Sequence, residues 1–176
     1  MNEVLNAIAK RSSTRSFTGR KLTKEELNQL VLAGLQAPTS CNEQEIHITV
    51  LDGSNPILAE IEEEKNKTMG LYNPQNNFYC GAPTLMILSG NAEFYWSKVD
   101  AGIAAENIAI AAESMGLGSL YIGCIKDALS GTRKAYFANA LKIPEGYEFE
   151  VAIALGYKAV GKEPHEYSVE KNVTYL

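Results

Sequence analysis

Apolar positions recur along the chain at helical and strand spacings, and the switches between them mark its elements. Val4, Leu5 and Ile8 share one side of a short helix predicted over Glu3 to Ala9. Thr23-Lys24-Glu25-Glu26 has the form of a capping box, an N-cap threonine answered by a glutamate three residues on. The helix it opens carries Leu27, Leu30, Val31, Gly34 and Leu35 as an apolar stripe and stops at Pro38. A polar loop, Pro38 to Gln44, leads to Ile46–Leu51, whose β-branched residues predict a strand. Asp52 to Asn55 turn the chain, and Pro56 suits the first position of a helix predicted from Ile57 to Lys65. Residues 66–80 predict an irregular loop, long enough to serve as a lid or a ligand contact.

Thr84–Ser89 is a short continuous apolar run, the mark of a strand covered on both faces. From Ser97 to Met115 hardly any polar face remains, which predicts a helix buried all round, at the centre of the fold or in a subunit interface. Glu106, Asn107 and Glu113 interrupt it and require partners. Gly116 ends it as a left-handed cap. A strand then follows, a helix is predicted near Ser130 to Leu141, and Glu148–Tyr157 reads as a further apolar strand before a polar tail from Lys158 to Leu176. No linker or repeat divides residues 1–176. A single α+β domain is expected, a sheet with helices packed against it and a long buried helix in the middle.

Composition keeps that picture. Of 176 residues, 45% are hydrophobic and 21% charged, which excludes disorder for the bulk of the chain. No apolar run reaches the ~18 residues of a membrane helix, and the N-terminus lacks the order of a signal peptide. Cys41, Cys80 and Cys124 are odd in number and widely spaced, so neither a disulfide framework nor a zinc site is expected. These features together predict a reduced, cytoplasmic protein without a membrane partner.

Charge is unevenly placed. The net charge is −5, which argues against nucleic acid as a partner. Between Val4 and Lys24, however, no acidic residue occurs, while Lys10, Arg11, Arg15, Arg20, Lys21 and Lys24 are basic. Within this island, Arg11-Ser12-Ser13-Thr14-Arg15-Ser16-Phe17 interleaves guanidinium forks with hydroxyls, the donors that hold phosphate. A solvated basic loop remains the alternative.

The other chemistry is sparse. His47 and His165 are the only histidines, and no spaced carboxylate set accompanies them, so no metal site is expected. No serine occupies a nucleophile elbow. Cys41 stands in a polar loop, where an inert thiol is the default reading. Gly116-Leu117-Gly118-Ser119-Leu120-Tyr121-Ile122-Gly123 is not a dinucleotide fingerprint: its glycines follow a helix and lead into a strand. Phosphate ligands without acid–base machinery suit an enzyme whose cofactor carries the chemistry.

Taken jointly, these motifs resemble the nitroreductase family of FMN-dependent oxidoreductases. Arg11 to Phe17 is similar to its N-terminal R-x-S-x-R-x-F signature, Ala37-Pro38-Thr39-Ser40-Cys41-Asn42-Glu43-Gln44 to its A-P-S-x-x-N-x-Q loop, and Asp100 to Ser119 to its central helix and following turn. The resemblance implies an α+β sandwich with a central, mostly antiparallel sheet flanked by helices. It also implies a homodimer with FMN at the interface. Arg11, Ser12 and Ser13 would hold the phosphate and ribityl chain. Arg15 would reach the pyrimidine edge of the ring and stabilise the negative charge of its reduced form. Pro38, Thr39, Ser40 and Asn42, with Gln44 in the same loop, would contact FMN from the neighbouring subunit. Tyr121, Ile122 and Gly123 would bring backbone near N5 and O4, and Lys162 and His165 stand where the family places basic phosphate contacts.

Glu45-Ile46 replaces a common Pro-Trp of the family, and His165 replaces a usual Arg. The implied activity is ping-pong hydride transfer from NADH or NADPH, through flavin N5, to a nitroaromatic, quinone or activated alkene. A flavin-binding storage, sensor or interaction protein without significant turnover is the alternative, and an interaction protein with an adventitious basic island a third reading.

Overall fold

The computed structural model describes residues 2–70 and 77–176. Its elements run α1 (Glu3–Lys10), α2 (Lys24–Leu35), β1 (His47–Asp52), α3 (Ile57–Met69), β2 (Thr84–Asn91), α4 (Ser97–Ser114), β3 (Leu117–Ile122), α5 (Lys126–Ser130), α6 (Lys134–Ala140), β4 (Tyr147–Tyr157) and α7 (Val169–Asn172). The strands form one sheet in the order β1-β2-β4-β3, every neighbouring pair antiparallel. The expected α+β sandwich is what the chain builds.

Period-two alternation sends the apolar strand residues to two cores. Leu85 and Ile87 of β2, Leu120 and Ile122 of β3, and Ala152 and Ala154 of β4 face Ile57, Leu58 and Ile61 of α3, Leu129 of α5 and Phe137 of α6. Met86, Leu88, Leu117, Ile153 and Leu155 face the other way, against Leu30 of α2 and Ala101, Ala104, Ala105, Ile108, Ala109 and Ala112 of α4. The continuous apolar run of β2 is thus covered on both sides, as expected. Fully burying each Leu or Ile contributes about 1.5–3 kcal/mol.

The helix ends follow their local chemistry. Thr23 caps α2 with the reciprocal Glu26 bond of a capping box. Gly116, at φ +73°, turns the chain from α4 into β3, a conformation that glycine adopts without a Cβ clash. The partners required by the polar interruptions of α4 are present. Asn107 donates to the Ala33 carbonyl at 3.1 Å, Glu113 accepts from Lys158 Nζ at 2.6 Å, and Glu106 accepts from the Tyr121 hydroxyl.

Three expectations need correction. The helix α4 is not buried all round within one chain, since Val99 is 50% and Ile103 37% exposed. The helix predicted near Ser130–Leu141 is shorter, α6 at Lys134–Ala140, and a separate helix that was not expected, α5, precedes it and ends at Gly131, whose φ −80° and ψ −154° are extended. The helix α3 runs on to Met69, four residues past its expected end. Of the loop expected at 66–80, residues 66–69 are therefore helical, 71–76 lie outside the described residues, and 78–80 form a turn.

Candidate functional site

Arg11 closes α1, its amide donating to the Ala7 carbonyl at 2.9 Å. The chain then runs extended along β3 and the end of β4. Thr14 N–H donates to the Ser119 carbonyl at 2.9 Å, Thr18 N–H to that of Tyr157 at 3.0 Å, and Ala159 N–H to that of Ser16 at 3.0 Å. Gly118 makes this approach feasible, because a Cβ there would stand 2.5 Å from Thr14 Oγ1. The Arg/Ser segment is thereby fixed to the sheet by its backbone. Ser13 pairs with Ser119, while the buried Ser12 spends its proton on the Lys162 carbonyl at 2.9 Å. Ser12 thus ties the C-terminal tail to the basic segment. The Lys162 and His165 side chains are exposed.

The side chain of Arg11 is 18% exposed, and its Nε lies 4.0 Å from Glu106 Oε1. Its guanidinium carbon is 6.0 Å from the centre of the Tyr121 ring. Tyr121 donates its hydroxyl proton to the second oxygen of Glu106. Burial foremost, then the bond and charge of Glu106, push the Tyr121 phenol well above its ordinary range, so it stays protonated. Nη1 of Arg11 is buried with no hydrogen-bond partner among the described residues. Arg11, Glu106 and His165 line a cleft of about 480 Å³ with Leu5, Ile8 and Pro164. An unpartnered buried guanidinium nitrogen is costly, and an anion in the cleft would satisfy it with a charge-assisted bond.

Arg15 is exposed and its charge reaches the Cys80 thiol. Burial outweighs that charge and raises the Cys80 thiol; burial likewise raises that of Cys124, against the pull of Lys65. Neither thiol is poised as a thiolate nucleophile. Ile122 is buried in the core below β3, and Gly123 after it is open, with nothing within 4 Å of where its Cβ would be.

The Pro38–Gln44 loop forms a second group. Cys41, Asn42 and Gln44 hold φ of 54°, 56° and 52°, a region that side chains disfavour and that recurs at ligand sites. Two bonds enforce it. Thr39 Oγ1 accepts from Gln44 N–H at 2.9 Å, and Asp100 Oδ2 accepts from Ser40 N–H at 2.9 Å. Asp100, 3% exposed in the first turn of α4, also meets the positive end of that helix. No role was expected for it; the available signal was an acid at the start of an otherwise apolar helix. Pro38, Asn42 and Gln44 are exposed, and Thr39 and Gln44 line a cleft of about 290 Å³ with Ile46 and Ala104. Beside it Glu45 is buried, with neither carboxylate oxygen hydrogen-bonded among the described residues.

Within one chain the expected site residues therefore fall into two sets. Arg11, Tyr121 and His165 come together, with Ser12, Ser13 and Lys162 alongside. The Pro38–Gln44 loop has no hydrogen bond or ion pair to them among the described residues. Asp100 and Glu106, which anchor the two sets, lie about 9 Å apart along α4. Among the described residues no group of three His, Cys, Asp or Glu could hold a metal ion, and no helix is long and apolar enough to cross a membrane.

Residues 8–157 match the model of a family described as the nitroreductase family. An FMN reductase (NADPH) of Bacillus subtilis strain 168 is 31% identical, over 93% of this chain and 70% of its own. An NADPH-flavin oxidoreductase of Vibrio harveyi is 27% identical, over 89% of this chain and 66% of its own. In structure, the chain resembles a nitroreductase with bound FMN from Desulfitobacterium hafniense DCB-2, with a TM-score of 0.90, 29% identity, and 100% of this chain and 99% of the other covered. A nitroreductase with bound FMN from Bacteroides fragilis NCTC 9343 gives a TM-score of 0.86 and 27% identity over the same shares.

Proposed function

The chain belongs to the nitroreductase family, and on that premise we propose that it is an FMN-dependent oxidoreductase drawing on NADH or NADPH and serving an electron-poor small molecule. The observation that carries the cofactor is the Arg11 cleft. It offers a buried guanidinium nitrogen without a partner among the described residues, and His165 lines the same cavity. These groups fit a phosphate. Arg11 holds it, with Lys162 as an outer cation, the His165 ring as an outer hydrogen-bonding group, and Ser13 beside them. Arg15, further along the same edge, places a positive charge by the ring, and the open backbone at Gly123, after Tyr121 and Ile122, lets the ring approach β3.

When bound, FMN would supply the redox chemistry, hydride transfer between a nicotinamide donor and a nitroaromatic, quinone or activated alkene. The chain's own residues bind, orient and set the local field. Burial holds Tyr121, Cys80 and Cys124 toward their protonated forms, so none of them offers an anionic base beside the flavin.

A second copy of the chain completes the site. Val4 (61% exposed), Ile8 (50%), Val99 (50%) and Ile103 (37%) leave apolar surface on α1 and α4, which pack against each other. In a homodimer the strained Pro38–Gln44 loop of one protomer meets the flavin of the other, bringing Pro38, Thr39, Ser40, Asn42 and Gln44 to it. Free thiols at Cys41, Cys80 and Cys124 fit a reducing compartment, the cytoplasm.

Steady-state oxidation of NADH and NADPH with an added quinone tests the proposal. Turnover with parallel double-reciprocal lines is expected, since donor and acceptor use one site in turn. A protein that retains FMN yet does not turn over with either donor contradicts the enzyme and leaves flavin storage or sensing.

A further inference from the structure

We infer that Glu106 is a positioning residue for the flavin phosphate, holding the Arg11 guanidinium by its Nε edge so that Nη1 is turned to the anion; this rests on the flavin reading above. The three polar residues that interrupt the apolar α4 divide by the partners they serve. Asn107 binds the Ala33 carbonyl and so joins α4 to the end of α2, and Glu113 pairs with Lys158 at the end of β4. Both are explained by packing. The two contacts of Glu106 are instead Arg11 and Tyr121, and it shares the cleft with His165.

A guanidinium on three methylenes has many rotamers, and one plane must be selected for two-pronged recognition of phosphate. Glu106 selects it from rigid footings. Its backbone sits mid-helix, and its Oε2 is held by a hydroxyl from β3. The Tyr121 phenol keeps its proton, so that bond is always donated. With Oε2 committed, Oε1 stands 4.0 Å from Arg11 Nε, an ion pair beyond hydrogen-bond distance that leaves the guanidinium donors free for an anion, and Nη1 is buried with no hydrogen-bond partner among the described residues. A carboxylate near a phosphate also repels it. Here the Glu106 side chain is 47% exposed, so solvent weakens that repulsion; it also weakens the attraction to Arg11, but less so, because that contact is at 4.0 Å and the Arg11 side chain is only 18% exposed.

The test is a flavin titration of the full-length chain freed of bound flavin, using FMN and riboflavin, which share a ring and differ in the phosphate. Wild type, Glu106→Gln and Tyr121→Phe are compared by quenching of flavin fluorescence, with thermal unfolding of each. Glu106→Gln should weaken FMN by about tenfold and change riboflavin by less than about twofold. Tyr121→Phe, which keeps the backbone of β3, should show the same pattern at smaller amplitude. Equal losses for both flavins indicate a structural role and overturn the inference; so does FMN binding that is unchanged or tighter in Glu106→Gln. A wild-type protein that binds neither flavin overturns the flavin reading itself, and one that binds both equally removes the phosphate from Arg11. Those two failures appear in wild type and are thereby separate from a failure confined to the variants.

Discussion

Arg11 and Arg15 are separable in what each contributes. Arg11 is nearly buried and faces the cleft, so its loss falls on binding. Arg15 is exposed, and its charge opposes the burial that raises the Cys80 thiol, so its loss is expected to fall on the local field. Arg15→Ala is expected to leave FMN bound and make it harder to reduce, by about 30 mV, ~1.4 kcal/mol for a two-electron couple. Spectroelectrochemistry of the variant checks this, and an unaltered midpoint denies Arg15 its place by the ring. At this scale the sequence was readable where a motif was continuous. The Arg/Ser run and the Pro38–Gln44 loop each declare themselves in a few consecutive residues. Asp100 and Glu106 do not, because what they hold lies far off in the chain, 60 residues away for Ser40 and Asp100. Ser12 shows the converse. Its type and place suited a phosphate ligand, yet the fold directs its proton to a backbone carbonyl.

Among elements, the edge of β3 carries the proposed flavin site. Gly118→Ala would drive a methyl into Thr14 and lift the Arg11–Phe17 segment from the sheet. A loss of about 1–3 kcal/mol in stability is expected, with FMN affinity falling alongside; urea unfolding and flavin titration measure the two. A second prediction concerns how α2 joins β4. Glu26 accepts from the Tyr157 hydroxyl at 2.5 Å and from Thr23 N–H at 2.7 Å, which holds its carboxyl below the ordinary value of 4.5. The unfolded chain then binds the proton first. The stabilisation is present above about pH 4.5 and lost as pH falls through the lower, folded value. Glu26→Gln should lower the urea midpoint at pH 7 and flatten its decline in acid. A decline as steep as wild type assigns the acid limb to other carboxylates.

Helix ends were legible from side chains that act locally, such as the Thr23–Glu26 box and Gly116. The extension of α3 to Met69 was not, because Lys65–Thr68 carry no apolar stripe. Ion pairs hold that turn instead, Lys65 to Glu62 at 2.7 Å and Lys67 to Glu63 at 2.9 Å. The helix α5 was not legible because its five residues are too few to show a period, burying only Ala128 and Leu129.

For the whole molecule, the sequence shows an apolar helix but not which of its faces the chain itself covers. Ala104, Ile108 and Ala112 are spent on the core shared with α2 and the sheet, whereas Val99 and Ile103 are left over. If the proposed homodimer forms through that remainder, a single charge on it, Ile103→Glu, should give a monomer in sedimentation velocity and release FMN, because in that proposal the Pro38–Gln44 loop leaves with the partner. A monomer that keeps full FMN affinity would place the whole site in one chain. The central claim, that the Arg11 edge of β3 holds a flavin that nicotinamide can reduce, meets its most direct test in visible absorbance. The purified protein is measured before and after anaerobic NADH or NADPH. A yellow oxidised-flavin spectrum that bleaches with one of the two donors is the expected result; a colourless protein that fails to take up added FMN contradicts it.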